Sequence, residues 1–179
     1  PVSSTGHLLV TERLLDIGTG DDKAATDSYT VVIQLGAIVA VLGIFWQRFM
    51  SMAGGLVGRD EDGRNSLIAV VVAFIPAGII GKLFGDSVKE HLLSPTPVAI
   101  TWIVGGLIIL LFVAQQSRLT TRIESVSEIG VRNAAIIGVA QTLALIPGTS
   151  RSFVTILAAM LLGVNMATAV EFSFLLGFV

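Results

Sequence analysis

Long apolar runs alternate with short polar islands along this chain, and the islands fall where the runs break. Residues 29–46, 67–84 and 98–114 are apolar stretches of the length that crosses a hydrocarbon core of about 30 Å. They predict three spanning helices. Trp46 closes the first near an interface, as in aromatic belts, and Gln34 is its polar member, read as an amide that bridges helices. Pro76 and Gly78 lie inside the second, where membrane helices tolerate breakers. The Gly105-Gly106 pair predicts close packing of the third. Residues 8–17 read as a short helix that cannot span. Residues 131–146 climb into the membrane and stop at Pro147. Residues 150–162 form a second short helix, 165–166 a turn, and 167–179 the start of another span. The stretches 18–27, 47–66, 85–97 and 115–132 read as polar loops. Their carboxylates, Asp60, Glu61 and Asp62 among them, and His91 read as solvated groups.

Composition sharpens this pattern. Hydrophobic residues make up 53% and charged residues 13%, and mean hydropathy is +0.85. Soluble domains carry about 25% charge, so the expected class is an all-α polytopic membrane protein, one transmembrane domain over 1–179. A net charge of −2 gives no footing for nucleic acid, and the absence of cysteine excludes thiolate chemistry. A chain opening on Pro1 and stopping inside the apolar run EFSFLLGFV reads as a fragment of a longer protein.

Candidate chemistry sits in the islands. Residues 147–155, PGTSRSFVT, place Arg151 between two apolar runs. An arginine at the centre of a membrane helix costs about 2.5–3.5 kcal/mol on insertion scales and is a functional hypothesis by default. Pro147-Gly148 ends any arriving helix, and a following Ser or Thr suits the cap of a new one. A helix start with its free N–H groups attracts anions, and a guanidinium grips phosphate with a planar fork. With the hydroxyls of Thr149, Ser150, Ser152 and Thr155, the island predicts a phosphate or diphosphate pocket.

The second island, PVSSTGH, aligns with PGTSRSF without a gap, Pro1 with Pro147 and Ser4 with Ser150. Interrupted hydrophobic segments in corresponding positions point to a midplane site in inverted-repeat membrane proteins. The expected architecture has inverted repeats and two re-entrant broken-helix hairpins, repeat 1 over about 1–115 and repeat 2 starting near 116. Ser4 and His7 would share a helix face, the minimum for activating a nucleophile or moving a proton. Glu171, in the last run, is expected to pair with Arg151 or to face the pocket. The loops 47–66 and 115–132 hold three arginines each, against two basic residues in 8–27 and in 82–97. By the positive-inside rule the islands then open to the outer face. A transporter or flippase for an anionic lipid would use the same architecture, without needing the Ser4–His7 pair.

The segments PVSSTGH, VVIQLGAI, PGTSRS with Thr155, and EFSFLL resemble, in this order, the bacterial undecaprenyl-diphosphate phosphatase family, also called the bacitracin-resistance family. The resemblance implies a multi-pass hydrolase of the bacterial plasma membrane that converts undecaprenyl diphosphate to undecaprenyl phosphate and phosphate. Recycling of the cell-wall lipid carrier, bacitracin tolerance, a site open to the external side and a divalent cation, magnesium or calcium, go with it. A homodimer is compatible with it. Ser4 matches the family's nucleophilic or phosphate-contacting serine, His7 its motif histidine and Arg151 its diphosphate-binding arginine. Ser150, Ser152 and Thr155 stand beside Arg151, and Ser3, Thr5, Gln34 and Glu171 complete the expected substrate contacts. The family's glutamate-rich motif, expected to supply the metal ligands, would fall before Pro1. Phe153 stands where the family often has glycine, and would narrow the pocket or face lipid.

Overall fold

A computed structural model describes residues 3–17, 23–92, 94–116 and 119–178, apart from the side chains of residues 5, 9, 23, 24, 27, 86, 87, 89–92 and 95. Thr5 and His91 as side chains therefore lie outside the described residues. Among the described residues the regular structure is helical, apart from an isolated bridge between Ile123 and Val164. In order come α1 (Ser4–Leu15), α2 (Lys23–Ile44), α3 (Trp46–Leu56), α4 (Glu61–Leu92), α5 (Pro95–Gln115), α6 (Gly130–Gln141), α7 (Arg151–Leu161) and α8 (Met166–Phe178). Short 3-10 turns cover Val126–Glu128 and Thr142–Leu145.

Among the described residues, Glu61–Gly85 and Thr96–Gln115 are long and apolar enough to cross a bilayer. The bent pair α2 and α3, turning by 76° at Phe45, makes a third span if it is one element. The exposed apolar side chains on α2, α4 and α5 are what lipid contact requires, since hydrocarbon replaces water as the surrounding medium. This is an all-α, polytopic, integral membrane protein.

The element α3 corrects the expectation of a loop over 47–66. Its sequence WQRFMSMAGGL turns one face to α4, burying Met52 and Gly55. A Cβ at Gly55 would run into the backbone of Gly63 and Arg64, and one at Gly63 into the carbonyl of Ser51. Gly55 and Gly63 are where the two backbones touch. Gly105 and Gly106 show the reverse: no atom of the described residues lies within 4 Å of a Cβ at either, so the expected close packing is not made among the described residues. The turn expected over 85–97 is also shorter, because α4 runs through Pro76 and on to Leu92.

Asp60 is not merely solvated. Its Oδ1 accepts from the N–H of Gly63 at 2.9 Å and its Oδ2 from the hydroxyl of Ser51 at 2.5 Å. It caps the start of α4 as an aspartate should and ties it to α3. These bonds, the Ser51 hydroxyl foremost, hold its carboxyl below the usual carboxylate range.

The core lies where α4 meets α3, α6 and α8, around Val70, Ala73, Ala134, Ile137, Phe172 and Leu176. Gly138 lets α6 lie directly on the Ala73 carbonyl of α4. The turn after α7 is locked to the segment before α6: Arg122 and Ile123 both donate to the carbonyl of Gly163, at 2.8 and 3.1 Å. Asn165 then caps α8, accepting from the N–H of Thr168 at 2.8 Å. The α7–α8 hairpin is thereby held at both its turn and its interior face.

Candidate anion-binding site

Both islands become helix starts. The chain leaves its 3-10 turn at Ile146, passes Pro147, and reverses at Gly148 with φ of +89°, a conformation that favours glycine. Ser150 then caps α7, its hydroxyl accepting from the N–H of Phe153 at 3.3 Å, and the Ser152 hydroxyl lies 3.3 Å from it. In the first island the cap is Ser3, one residue before the expected match. Its hydroxyl accepts from the N–H of Gly6 at 3.4 Å, and Ser4 is the first residue of α1. In register of caps, Ser3 therefore corresponds to Ser150.

The two starts face one cavity of about 600 Å³. Ser3 and Ser4 line it from α1, Thr149, Ser150, Arg151 and Ser152 from α7, and Gln34 from α2. Ser173, Phe174, Gly177 and Phe178 close it from α8. The sequence expectation that Ser4 and Arg151 share a pocket thus corresponds to a single space. Arg151 donates from Nη2 to the carbonyl of Gly177 at 3.3 Å. Among the described residues it has no carboxylate partner. Its charge is left to face the cavity, beside the free N–H groups of the α7 start.

Other expected residues stand elsewhere. Glu171 does not meet Arg151 and does not line the cavity: its Oε1 lies 2.5 Å from Nε of Arg48. The expectation of a pair with Arg151 is corrected by this partner, which is 123 positions away in sequence. Thr155 is buried within the α7–α8 contact. Its hydroxyl lies 2.8 Å from that of Ser173 and 3.0 Å from the carbonyl of Arg151, so it braces the helices rather than facing the cavity. His7 does not line the cavity. Its ring lies 4.8 Å from that of Trp102, and its Nδ1 is 2.9 Å from the carbonyl of Ser3. A carbonyl can only accept, so neutral His7 carries its proton on Nδ1 and keeps the Nε2 lone pair. Phe153 is half-buried and does not line the cavity, so it does not narrow it.

Sequence reasoning missed Ser173 and Gly177 of α8 as wall residues. The available signal was a lone hydroxyl in the apolar segment EFSFLL. It also missed Thr101 and Trp102 of α5, which touch the Pro147-Gly148 turn and α1.

The donor set bears on the implied divalent cation. The polar side chains that line the cavity are hydroxyls, one amide and a guanidinium, and no group of three or more acidic, histidine or cysteine side chains among the described residues could hold a metal ion. Hard divalent cations need carboxylate-rich oxygen cages. These residues do not fit the cation; they suit an anion, through hydrogen bonds to charge that a low-dielectric setting strengthens.

An undecaprenyl-diphosphatase of Neisseria meningitidis is 42% identical over 176 residues, 98% of this chain and 62% of that protein. Undecaprenyl-diphosphatase 1 of Acinetobacter baylyi is 43% identical over 177 residues, 99% of this chain and 63% of its own length. An undecaprenyl-diphosphatase of Methylococcus capsulatus is 44% identical over 176 residues, covering 98% and 62%. The chain thus spans somewhat under two thirds of these curated relatives. The family model described as bacitracin resistance protein BacA matches residues 1–179, and the chain belongs to that family.

Proposed function

We propose that the whole protein hydrolyses undecaprenyl diphosphate to undecaprenyl phosphate and inorganic phosphate, and that this stretch supplies the grip on the diphosphate. The observation that carries the reading is the convergence of Ser3 and Ser4 with Ser150, Arg151 and Ser152 on one cavity. The printed names of the relatives, undecaprenyl-diphosphatases at 42–44% identity, support it.

Phosphoryl transfer demands mostly positioning and charge stabilisation. Arg151 and the N–H groups that begin α7 neutralise and orient the diphosphate, with the hydroxyls of Ser150 and Ser152 beside them. Ser4, across the cavity, either attacks the terminal phosphorus, giving a phosphoserine that water then hydrolyses to free phosphate, or holds the water that attacks directly; in both routes the prenyl phosphate leaves with the electron pair of the broken P–O bond. His7, with Nδ1 tied to the Ser3 carbonyl, keeps Nε2 to take a proton through intervening water. The divalent cation stays part of the family reading. The exposed apolar faces of α2 and α5 keep the prenyl tail in lipid. The arginine-rich segments around 48–64 and 118–132 support a plasma-membrane orientation with the cavity toward the outer face.

The deciding measurement is phosphate release from a polyprenyl diphosphate by the full-length protein. Arg151→Ala is expected to lower kcat/KM by a factor of about 100 or more, and near-normal turnover overturns the role of this arginine. Lipid moving between leaflets without release of phosphate would favour a transporter instead.

A further inference from the structure

We infer that two consecutive residues of α5, Thr101 and Trp102, set the distance between the two helix starts: Thr101 positions the anion-gripping turn and Trp102 positions the helix that carries Ser4. The inference rests on the reading that both starts act on one diphosphate.

Neither residue lines the cavity, and each touches a different island. Thr101 Oγ1 lies 2.9 Å from the carbonyl of Pro147, sharing its proton with the carbonyls of Val98 and Pro97 at 2.8 and 3.0 Å. Gly148 sits so close that a Cβ there would strike the Thr101 hydroxyl and come within 3.0 Å of the Val98 backbone. The turn that feeds Ser150 and Arg151 is therefore seated on α5. One residue on, the Trp102 ring lies under α1. A Cβ at Gly6 would fall 2.7 Å from Cζ2 of that ring, and the His7 ring is tilted against it at 4.8 Å.

The contact is one of shape. The indole N–H of Trp102 is buried and finds no acceptor among the described residues. A benzyl ring can therefore replace the indole, whereas a methyl group cannot. Consecutive residues on a helix project about 100° apart, so one turn of α5 presents one face to each island. Because α5 is a continuous helix from Pro95 to Gln115, the two contacts fix one start relative to the other. Nucleophile and phosphate must meet within a fraction of an ångström, and a misplacement of about 1 Å can cost a factor of about 100 in rate.

The two residues consequently act on different kinetic constants. In the full-length protein, Trp102→Ala is expected to lower kcat about tenfold or more with KM changed less than about threefold, and Trp102→Phe to restore it. Thr101→Val, which keeps the shape and loses the hydroxyl, is expected to raise KM about fivefold, with Thr101→Ser restoring it. A readout independent of turnover uses spin labels at Leu14→Cys in α1 and Leu161→Cys in α7, both exposed. Trp102→Ala is expected to broaden the distance distribution between them, and Trp102→Phe to leave it as in the parent. An unchanged distribution in Trp102→Ala, or equal kinetic effects of Trp102→Ala and Trp102→Phe, overturns the inference. If the parent releases no phosphate, the functional reading fails while the distance measurement still decides the role of Trp102.

Discussion

Arg48 and Glu171 form an ion pair, Nε to Oε1 at 2.5 Å, that joins the elbow after α2 to the last helix. Phe45 against Phe174 at 5.9 Å and Phe49 against Phe178 at 4.7 Å flank it. Phe174 and Phe178 wall the cavity, so the pair holds the bent segment against that wall. The side chains are 29% and 21% exposed, between the surface case, which is worth little, and the buried case, in which losing one partner strands the other. Glu171→Gln and Arg48→Met are each expected to cost about 1–2 kcal/mol in thermal unfolding in detergent. The double variant should cost less than their sum. A coupling energy within about 0.3 kcal/mol of zero would show that the pair holds nothing.

Gly177 is where α8 makes room for the arginine. A Cβ there would lie 2.7 Å from Nη2 of Arg151, and the guanidinium would have to swing off the Gly177 carbonyl. Only the flexible end of the side chain has to move, so the fold should tolerate the change. Gly177→Ala is expected to leave the melting temperature within a few degrees and to lower kcat/KM about tenfold, the scale of one hydrogen bond to a charged group. Phosphate-release kinetics beside a melting curve checks both halves. Unaltered kinetics would separate Gly177 from the arginine's placement.

How far the sequence carries depends on the range of the signal. The break at Pro147-Gly148 and the cap at Ser150 were legible because capping and helix breaking act within a few residues, and the serines of the two islands could be paired only by aligning the islands as repeats. The spans were legible because hydrophobic length is a local property. The α3 helix was not, because Gly55 and Gly63 carry the same letter whether they end a helix or let two backbones touch. Gly105 and Gly106 misled in the opposite sense for the same reason. The partner of Glu171 and the seating of both islands on Thr101 and Trp102 depend on residues far apart in the chain, and no local pattern encodes those meetings.

Thr155 offers a test of bracing against substrate contact. It is almost fully buried, 1% exposed, and its hydroxyl lies 2.8 Å from that of Ser173 across α7 and α8. Thr155→Val keeps the volume and leaves the Ser173 hydroxyl short of a partner, a loss of about 1–3 kcal/mol in stability. Thr155→Ser keeps the hydroxyl and should recover most of it. Turnover of the folded fraction of Thr155→Val should stay within about threefold of the parent, less than the loss expected for Arg151→Ala. A variant of normal melting temperature but abolished turnover would place Thr155 among the substrate contacts instead.

The cap at Asp60 makes part of the stability depend on pH. Its carboxyl is held below the usual carboxylate range in the fold, chiefly by the Ser51 hydroxyl and then by the N–H of Gly63. A depressed value means that the folded state favours the charged form more than the unfolded chain does. The contribution is therefore complete above the ordinary carboxylate range and is lost as pH falls through that range to the lowered value. Asp60→Asn keeps an oxygen for the Gly63 N–H but has no charge to lose. Melting temperature against pH should fall less steeply on the acid side for Asp60→Asn than for the parent, and Ser51→Ala, which brings the folded value back toward the unfolded one, should likewise make the fall smaller. Parallel curves for the parent and Asp60→Asn would show that the charge at this cap does not stabilise the junction of α3 and α4.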